Sequence, residues 1–257
     1  RSISTIKSSD IIICENPKHS LKLLNKLGIK KKLIALHDYN EQNVIDKVQG
    51  LLNSKNCVLI SDAGSPLISD PGYNLVNYCI KNNISVKSVP GPSSIISGLQ
   101  LSGLPISEFV FFGFVPKSKK KLDDLIINIS QEKRTSIFFV SRHKLIIFLE
   151  SLEKIIPDRS ISICKELTKL NEHVYRGVSS KVRHDILQNT QGVKGEFVAI
   201  IDRQTLKNQN FDNIDLYGKE LKKLSTKFSL TDIVEIVHKF TKINKNKIYK
   251  WLIKLKN

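Results

Sequence analysis

Twelve consecutive residues, Ser61-Asp62-Ala63-Gly64-Ser65-Pro66-Leu67-Ile68-Ser69-Asp70-Pro71-Gly72, have the types and spacing of a ligand loop. Gly64 lets the backbone approach a ligand closely, and Pro66 and Pro71 stiffen the segment so that its N–H groups stay aimed. A rigid turn is the simpler use for such residues, but a turn needs fewer of them. A second candidate is Val89-Pro90-Gly91-Pro92-Ser93-Ser94. There Gly91 turns the chain and Pro92 suits a first helical position, so Ser93 and Ser94 bring hydroxyls and free N–H groups to a helix start. Ordinary capping explains those two serines equally well. The third is Lys165-Glu166-Leu167-Thr168-Lys169, where one carboxylate stands between two ammonium groups. Glu166 suits either a general base for a hydroxyl or a structural ion pair. Asp62 is read as ordering its own loop, His143 as a partly exposed helix residue and His37 as part of a turn.

These segments need elements to hold them. The short apolar run Cys57-Val58-Leu59-Ile60 reads as a buried parallel strand, and loops at the carboxyl ends of such strands hold ligands in open α/β sheets. Strands are expected at 10–15, 33–37, 57–61, 85–89 and 109–114, alternating with helices at 19–28, 41–53, 71–83 and 93–102, after one short helical segment. This alternation predicts an α/β fold with a mostly parallel sheet. Beyond Val115-Pro116 and its lysine run, helices are expected at 119–131, 142–155 and 180–189, and strands at 135–141, 160–167, 172–178 and 196–202. The short 168–172 link predicts a hairpin. Three parts follow: an α/β domain over 1–115, a second over 116–203, and a linker with a basic helical tail over 204–257. In the tail, Ser229-Leu230-Thr231-Asp232 reads as a capping box, and Asn244 as the cap of a helix over 247–256. Such a pair would resemble a helix-turn-helix, and core packing explains Trp251 at least as well as nucleic-acid contact does.

The chain has 257 residues and a net charge of +17, from 41 Lys and Arg against 24 Asp and Glu. A polyanionic partner such as RNA fits that balance. An A/T-rich genome explains it as well, because 34 of the basic residues are lysine and 7 arginine. From Gly218 to Asn257 there are 11 Lys against 3 acidic residues, as suited to a solvated helix face as to an RNA surface. Neither Gly-x-x-x-x-Gly-Lys-Ser/Thr nor Gly-x-Gly-x-x-Gly occurs, so nucleoside triphosphate and dinucleotide binding lose support. The four cysteines stand far apart without metal-ligand spacing, and no metal is expected. No apolar run approaches the roughly 20 residues that span a bilayer and no leader is seen, so a cytoplasmic location with no membrane contact is expected. The chain opens at Arg1 and holds no methionine, which points to an incomplete amino terminus.

Taken in order, Leu36-His37-Asp38-Tyr39-Asn40-Glu41, Ser61 to Val76, Val89 to Ser93, Gly103-Leu104-Pro105, Phe112-Gly113-Phe114-Val115-Pro116, Lys165 to Lys169, Arg176-Gly177 and Lys194-Gly195-Glu196 resemble the small-subunit ribosomal RNA methyltransferases of the tetrapyrrole methylase superfamily. The resemblance spans about 10 to 256. It implies two α/β domains of tetrapyrrole-methylase type with S-adenosylmethionine in the cleft between them, a C-terminal helical tail, and 2′-O-methylation of a cytidine ribose in the decoding region of small-subunit rRNA. Carried over by motif, Asp62, Ala63, Gly64, Ser65, Ile68, Ser93, Ser94, Val140 and Leu167 would bind the cofactor, and Glu166 would accept the proton. Lys117, Lys119, Lys120, Lys121, Lys165 and Lys169 would meet rRNA or the 30S subunit, and the tail lysines would add to them. Phe111, Phe112 and Phe114 are candidates for base stacking, with core burial the alternative. A homodimer is implied too. Where the family has Glu-Asp-Thr-Arg this chain has Glu15-Asn16-Pro17-Lys18, and where it has Glu-Ser-x-His-Arg this chain has Val140-Ser141-Arg142-His143-Lys144. The family's first strand and its Pro-x-Pro-x-Gly-Asn loop would precede Arg1. Two other readings share these residues: a tetrapyrrole-precursor methyltransferase, and a non-catalytic RNA-binding remnant.

Overall fold

A computed structural model describes residues 1–204, 221, 223–225, 227–241 and 244–256. They form two compact units, Arg1–Arg203 and Gln204–Asn257. The first opens with helix α1 (Ser2–Ser8) and a three-stranded parallel sheet of order β2-β1-β3, made of β1 (Ile11–Cys14), β2 (Lys32–Ala35) and β3 (Cys57–Ile60). The run Ile11-Ile12-Ile13-Cys14 is central and wholly buried, because a parallel strand between two layers has no solvent face. Ile12 and Cys14 pack with Leu24 of α2 (Pro17–Lys26) and with Ile6 and Ile29. Ile11 and Ile13 turn the other way, onto Val44, Ile45 and Val48 of α3 (Glu41–Val48) and Leu75 of α4 (Tyr73–Lys81). The Asn16-Pro17 departure has a local use: Pro17 begins α2, and Asn16 Oδ1 accepts the Lys18 and His19 N–H groups at 3.1 and 3.3 Å.

The strand expected at 85–89 does not form. A strand needs a neighbour to pair with, and among the described residues β3 has none on its outer edge. After that segment comes α5 (Ser94–Ser102), then a five-stranded sheet of order β4-β5-β8-β6-β7. Its members are β4 (Phe109–Phe114), β5 (Thr135–Ser141), β6 (Ser160–Lys165), β7 (His173–Val178) and β8 (Glu196–Ile201). β4 is parallel to β5, whereas β8 is antiparallel to both β5 and β6, and β6–β7 is the expected hairpin. One face is covered by α6 (Lys119–Ser130), α7 (Leu145–Ile155) and α8 (Ser179–Gln188), burying Phe138, Val140, Phe148, Ile161 and Ala199. The other face carries Ile137, Cys164, Val198 and Ile200 against Leu99 of α5. Gly98 makes that approach possible, since a Cβ there would stand 3.2 Å from Val198 Cγ1. Both β4 and α5 are therefore bound to the second sheet.

In the second unit, α9 (Leu230–Thr241) and α10 (Lys245–Lys256) enclose Ile233, Val234, Val237, Ile248 and Leu252 together with Leu221, and Trp251 packs against that cluster. The expected caps are present. The Ser229 hydroxyl accepts the Asp232 N–H at 3.1 Å, and Asn244 Oδ1 accepts the Asn246 N–H at 2.9 Å. The polar linker expected over 204–215 lies, after Gln204, outside the described residues, as do Lys219, Lys222 and Lys242 of the tail. No described helix is long and apolar enough to cross a membrane.

Cysteines 14, 79 and 164 are buried and Cys57 is partly so, all four as free thiols. Burial pushes each of them above the ordinary thiol range.

Phe138 is fully buried, stacked on Phe112 with centroids 4.9 Å apart and tilted against Phe148 at 6.0 Å. Phe138→Ala is expected to cost about 3–5 kcal/mol. Urea denaturation followed by circular dichroism measures it, and a loss below about 1 kcal/mol would contradict this account of the core.

Candidate functional site

The topology decides where chain ends gather. Since β8 is antiparallel to both β5 and β6, those two strands point the same way, and β4 is parallel to β5. The segments after β4, β5 and β6, namely Val115 to Lys121, Ser141 to Lys144 and Glu166 to Lys169, thus leave one edge of the five-stranded sheet. In the smaller sheet, all three strands are parallel, and the 61–72 loop leaves the carboxyl end of β3. That loop reaches the larger sheet, because a Cβ on Gly113 would lie 3.8 Å from Ser69 Oγ. The structure brings the first loop and the end of β4 together.

Within the loop, the Ser61 hydroxyl lies within hydrogen-bonding reach of the Ala63 and Gly64 carbonyls, at 3.2 and 3.3 Å. The N–H groups of Ala63, Gly64 and Ser65 donate to nothing within the described chain. Gly64 has φ +73°, and a Cβ on it would meet nothing within 4 Å, so backbone and open space adjoin there. Ile68 is exposed. Leu67 and Ser69 take left-handed conformations, φ +70° and +66°, each costing roughly 1–2 kcal/mol for a residue with a side chain. Such conformations persist only where the surroundings over-determine them.

Acidic groups crowd behind this surface. Asp70 is pushed up to about 6, first by burial, then by Glu15 and Asp62, while a hydrogen bond from Ser61 acts in the opposite direction. One Asp62 oxygen stands 3.4 Å from His19 Nδ1, and the other is buried without a hydrogen-bond partner. Asp62 thus faces α2 through His19 and makes no hydrogen bond within its own loop, where the sequence reading expected it to order that loop.

The other expected residues occupy distinct settings. Ser93 is the N-cap of α5 but makes no side-chain cap bond, so the capping alternative does not occupy its hydroxyl. Val140 is buried under α6, α7 and α8, leaving its main chain as the part near the strand end. Leu167 is partly buried on the α5 side, beside Ile95 and Leu104. Glu166 and Thr168 are left-handed, φ +49° and +67°. Glu166 Oε1 accepts the Glu196 N–H at 2.8 Å and pairs with Lys169 Nζ at 3.0 Å, and that ammonium also pairs with Glu196 Oε2 at 3.0 Å. The Glu196 amide, helped by Lys169 and Lys165, holds the Glu166 carboxyl below its usual range. This is the ion pair of the two alternatives, and a carboxylate held low is a weak proton acceptor.

Lys165, expected at a phosphate backbone, is instead only 4% exposed and donates to the Gln191 carbonyl. Lys117, Lys119, Lys120 and Lys121 are all exposed. Lys144 Nζ donates to the Lys117 carbonyl at 2.5 Å, which joins the Arg142-His143-Lys144 turn to this basic run. Phe111 is partly buried against the α5 face, with Phe139 4.9 Å away, as core packing expects; Phe114 is 60% exposed. Two contributors escaped the sequence reading. Lys144 and Glu41 stand in the sequence only as members of segments compared with the family, with no role of their own assigned. Glu41 is 6% exposed.

Residues 1–182 match the profile of the Tetrapyrrole (Corrin/Porphyrin) Methylases. The chain is 35% identical over 254 residues, covering 98% of itself and 89% of the relative, to "Ribosomal RNA small subunit methyltransferase I" of Haemophilus influenzae. It is 39% identical over 186 residues to the protein of the same name from Thermotoga maritima, covering 72% and 83%. Among solved structures, diphthine synthase superposes with a TM-score of 0.60 at 16% identity, over 84% of this chain and 88% of that one. The methyltransferase CobJ does so at 0.55 and 12%, over 78% and 86%. These structural likenesses concern the fold.

Asp70 yields a signed prediction. Its folded value, about 6, exceeds its ordinary 3.8, so the native state holds the proton more tightly between those values. Asp70 therefore costs stability above about pH 6, and the cost disappears as the pH falls through the unfolded value. Asp70→Asn is expected to stabilise the protein at pH 7.5 by roughly 1 kcal/mol, the full shift being reduced by solvent screening, and to have no such effect at pH 3.5. Urea denaturation at the two pH values measures the difference. Equal effects at both would refute the crowded-acid account.

Proposed function

The chain belongs to the tetrapyrrole (corrin/porphyrin) methylase family, and on that premise we propose that it transfers a methyl group from S-adenosylmethionine to small-subunit ribosomal RNA. The carrying observation is near-full-length similarity to proteins named as small-subunit ribosomal RNA methyltransferases, in a chain whose 61–72 loop meets the end of β4, the strand that an exposed basic run follows. The target we infer is the 2′-hydroxyl of a cytidine in the decoding region, presented in rRNA or the 30S subunit. A homodimer in the cytoplasm goes with this reading.

The residues present suit such a cofactor. Free amides at Ala63, Gly64 and Ser65 and apolar side chains at Ile68 and Leu167 match an uncharged adenosine and a zwitterionic methionine end better than phosphate-binding lysines would. Ser93 and Ser94 would add the amino terminus of α5, and Val140 its main chain. Bound there, S-adenosylmethionine would supply an electrophilic methyl group whose transfer to oxygen leaves a neutral thioether. The chain's own contribution is then alignment, which can supply much of the rate for a displacement of this kind. A proton must also leave the ribose hydroxyl. Of the acids at the site, Asp70, at about 6, is better matched to accept it near neutral pH than Glu166, whose carboxylate Lys169 and the Glu196 amide already hold. The rim of Lys117, Lys119, Lys120 and Lys121 would engage phosphates and position the strand without reading its sequence. Phe114, exposed at the end of β4 although its ring also meets Phe139 at 5.3 Å, would stack an unpaired base.

Two experiments test this function. Calorimetry should detect S-adenosylmethionine binding, and deletion of the gene should remove one cytidine ribose methyl from small-subunit rRNA, read by mass spectrometry. Unchanged rRNA would refute the reaction. For the rim, Lys119, Lys120 and Lys121 replaced together by glutamine should weaken RNA binding and reduce the slope of log K against log salt by about 2. An unchanged slope would remove those lysines from the interface.

A further inference from the structure

We propose that Glu41 is a positioning residue for the cofactor: its buried carboxylate clamps the exit of the 61–72 loop and so holds that loop in its receptive shape. The inference rests on the methyltransferase reading of the loop. Glu41 opens α3, on a different segment from the loop it serves. One carboxylate oxygen accepts the Gly72 N–H at 2.6 Å and the other the Asn74 N–H at 2.8 Å. Gly72 is the N-cap of α4 and Asn74 the second residue of that helix, so both amides belong to the set that a helix leaves without intrahelical acceptors. No side chain of α4 caps its own start. Glu41 does so from 31 and 33 residues away.

The placement matters because of what lies between the loop's ends. Ser61 continues directly from the ladder-bound β3, and Gly72 is held by Glu41, so both ends are anchored. Gly72 has φ +126°, a conformation that residues with side chains rarely adopt, and a Cβ there would stand 2.7 Å from Leu59 Cδ2, so this end of the loop packs closely on β3. Leu67, Ser69 and the crowded Asp70 lie inside that span, and each pulls the loop toward a more relaxed arrangement. Among the described residues no ammonium or guanidinium pairs with Glu41. The two amides and the positive end of α4 therefore hold its charge. Releasing them frees the loop without touching the ladders of either sheet.

The experiment compares wild type, Glu41→Gln and Glu41→Ala. Glutamine keeps the shape but turns an NH2 group toward one of the two N–H donors, and alanine removes both acceptors. The Gly72 and Asn74 amides, which Glu41 holds, should exchange hydrogen at least tenfold faster in both variants, while those of β1, β5 and β8 keep their rates. The dissociation constant for S-adenosylmethionine should rise about tenfold in Glu41→Gln, with RNA affinity unchanged. A purely structural cap would lower the unfolding midpoint and leave ligand affinity of the folded fraction alone, and that result overturns the proposal. Should neither variant fold, wild-type exchange decides: Gly72 and Asn74 amides as fast as an open loop overturn the clamp, and strong protection supports it. Absence of S-adenosylmethionine binding by the wild type overturns the methyltransferase reading, while the exchange data still judge the clamp separately.

Discussion

The antiparallel course of β8 between β5 and β6 is the constraint on which the rest depends. An all-parallel strand order could also send β5 and β6 in one direction, but it would require a covering crossover for each added strand. Here one reversed strand fills the centre, hydrogen-bonded along both sides, and β4, β5 and β6 are left pointing to the same edge. Three loops of different chemistry then emerge side by side: a lysine run, the Arg142-His143-Lys144 turn, and the braced Glu166 to Lys169 segment. β8 itself contributes Glu196, whose amide and carboxylate both tie down that last segment. The strand that sets direction also fastens one of the loops it directs.

Much of this was legible in the residues. The apolar runs of β1, β3, β5, β6 and β8 are short and bounded by polar or turn residues, so existence and type of these strands follow from local pattern. Capping chemistry was equally readable at Ser229 and Asn244, because a cap is a contact between near neighbours. The site loop was visible for the same reason, its glycines and prolines being local punctuation. What stayed hidden was long-range. Residues 85–89 have strand character but no partner, and pairing is a property of two segments. Lys165 looks like any charged residue at a strand end until the fold buries it against Gln191. Glu41 has no role legible in the sequence until α3 and α4 bring it to the Gly72 and Asn74 amides.

The two acids of the site illustrate how environment assigns roles to identical chemistry. Glu166 accepts an amide and meets an ammonium, and is held in its charged form. Asp70 is partly desolvated among other carboxylates and resists ionisation. The first arrangement favours a fixed shape and the second favours exchange of a proton. Placing them on separate loops lets the protein keep one rigid while the other stays poised.

The four thiols divide three to one between the sheets: Cys14, Cys57 and Cys79 belong to the smaller sheet and its helices, Cys164 to the larger. Burial raises all four above the ordinary thiol range, so the three buried ones, Cys14, Cys79 and Cys164, react with an alkylating reagent mainly when their own surroundings open. The chain consequently carries its own set of chemical clocks. Their relative rates report which half of the first unit breathes more often, with no label added and no residue changed.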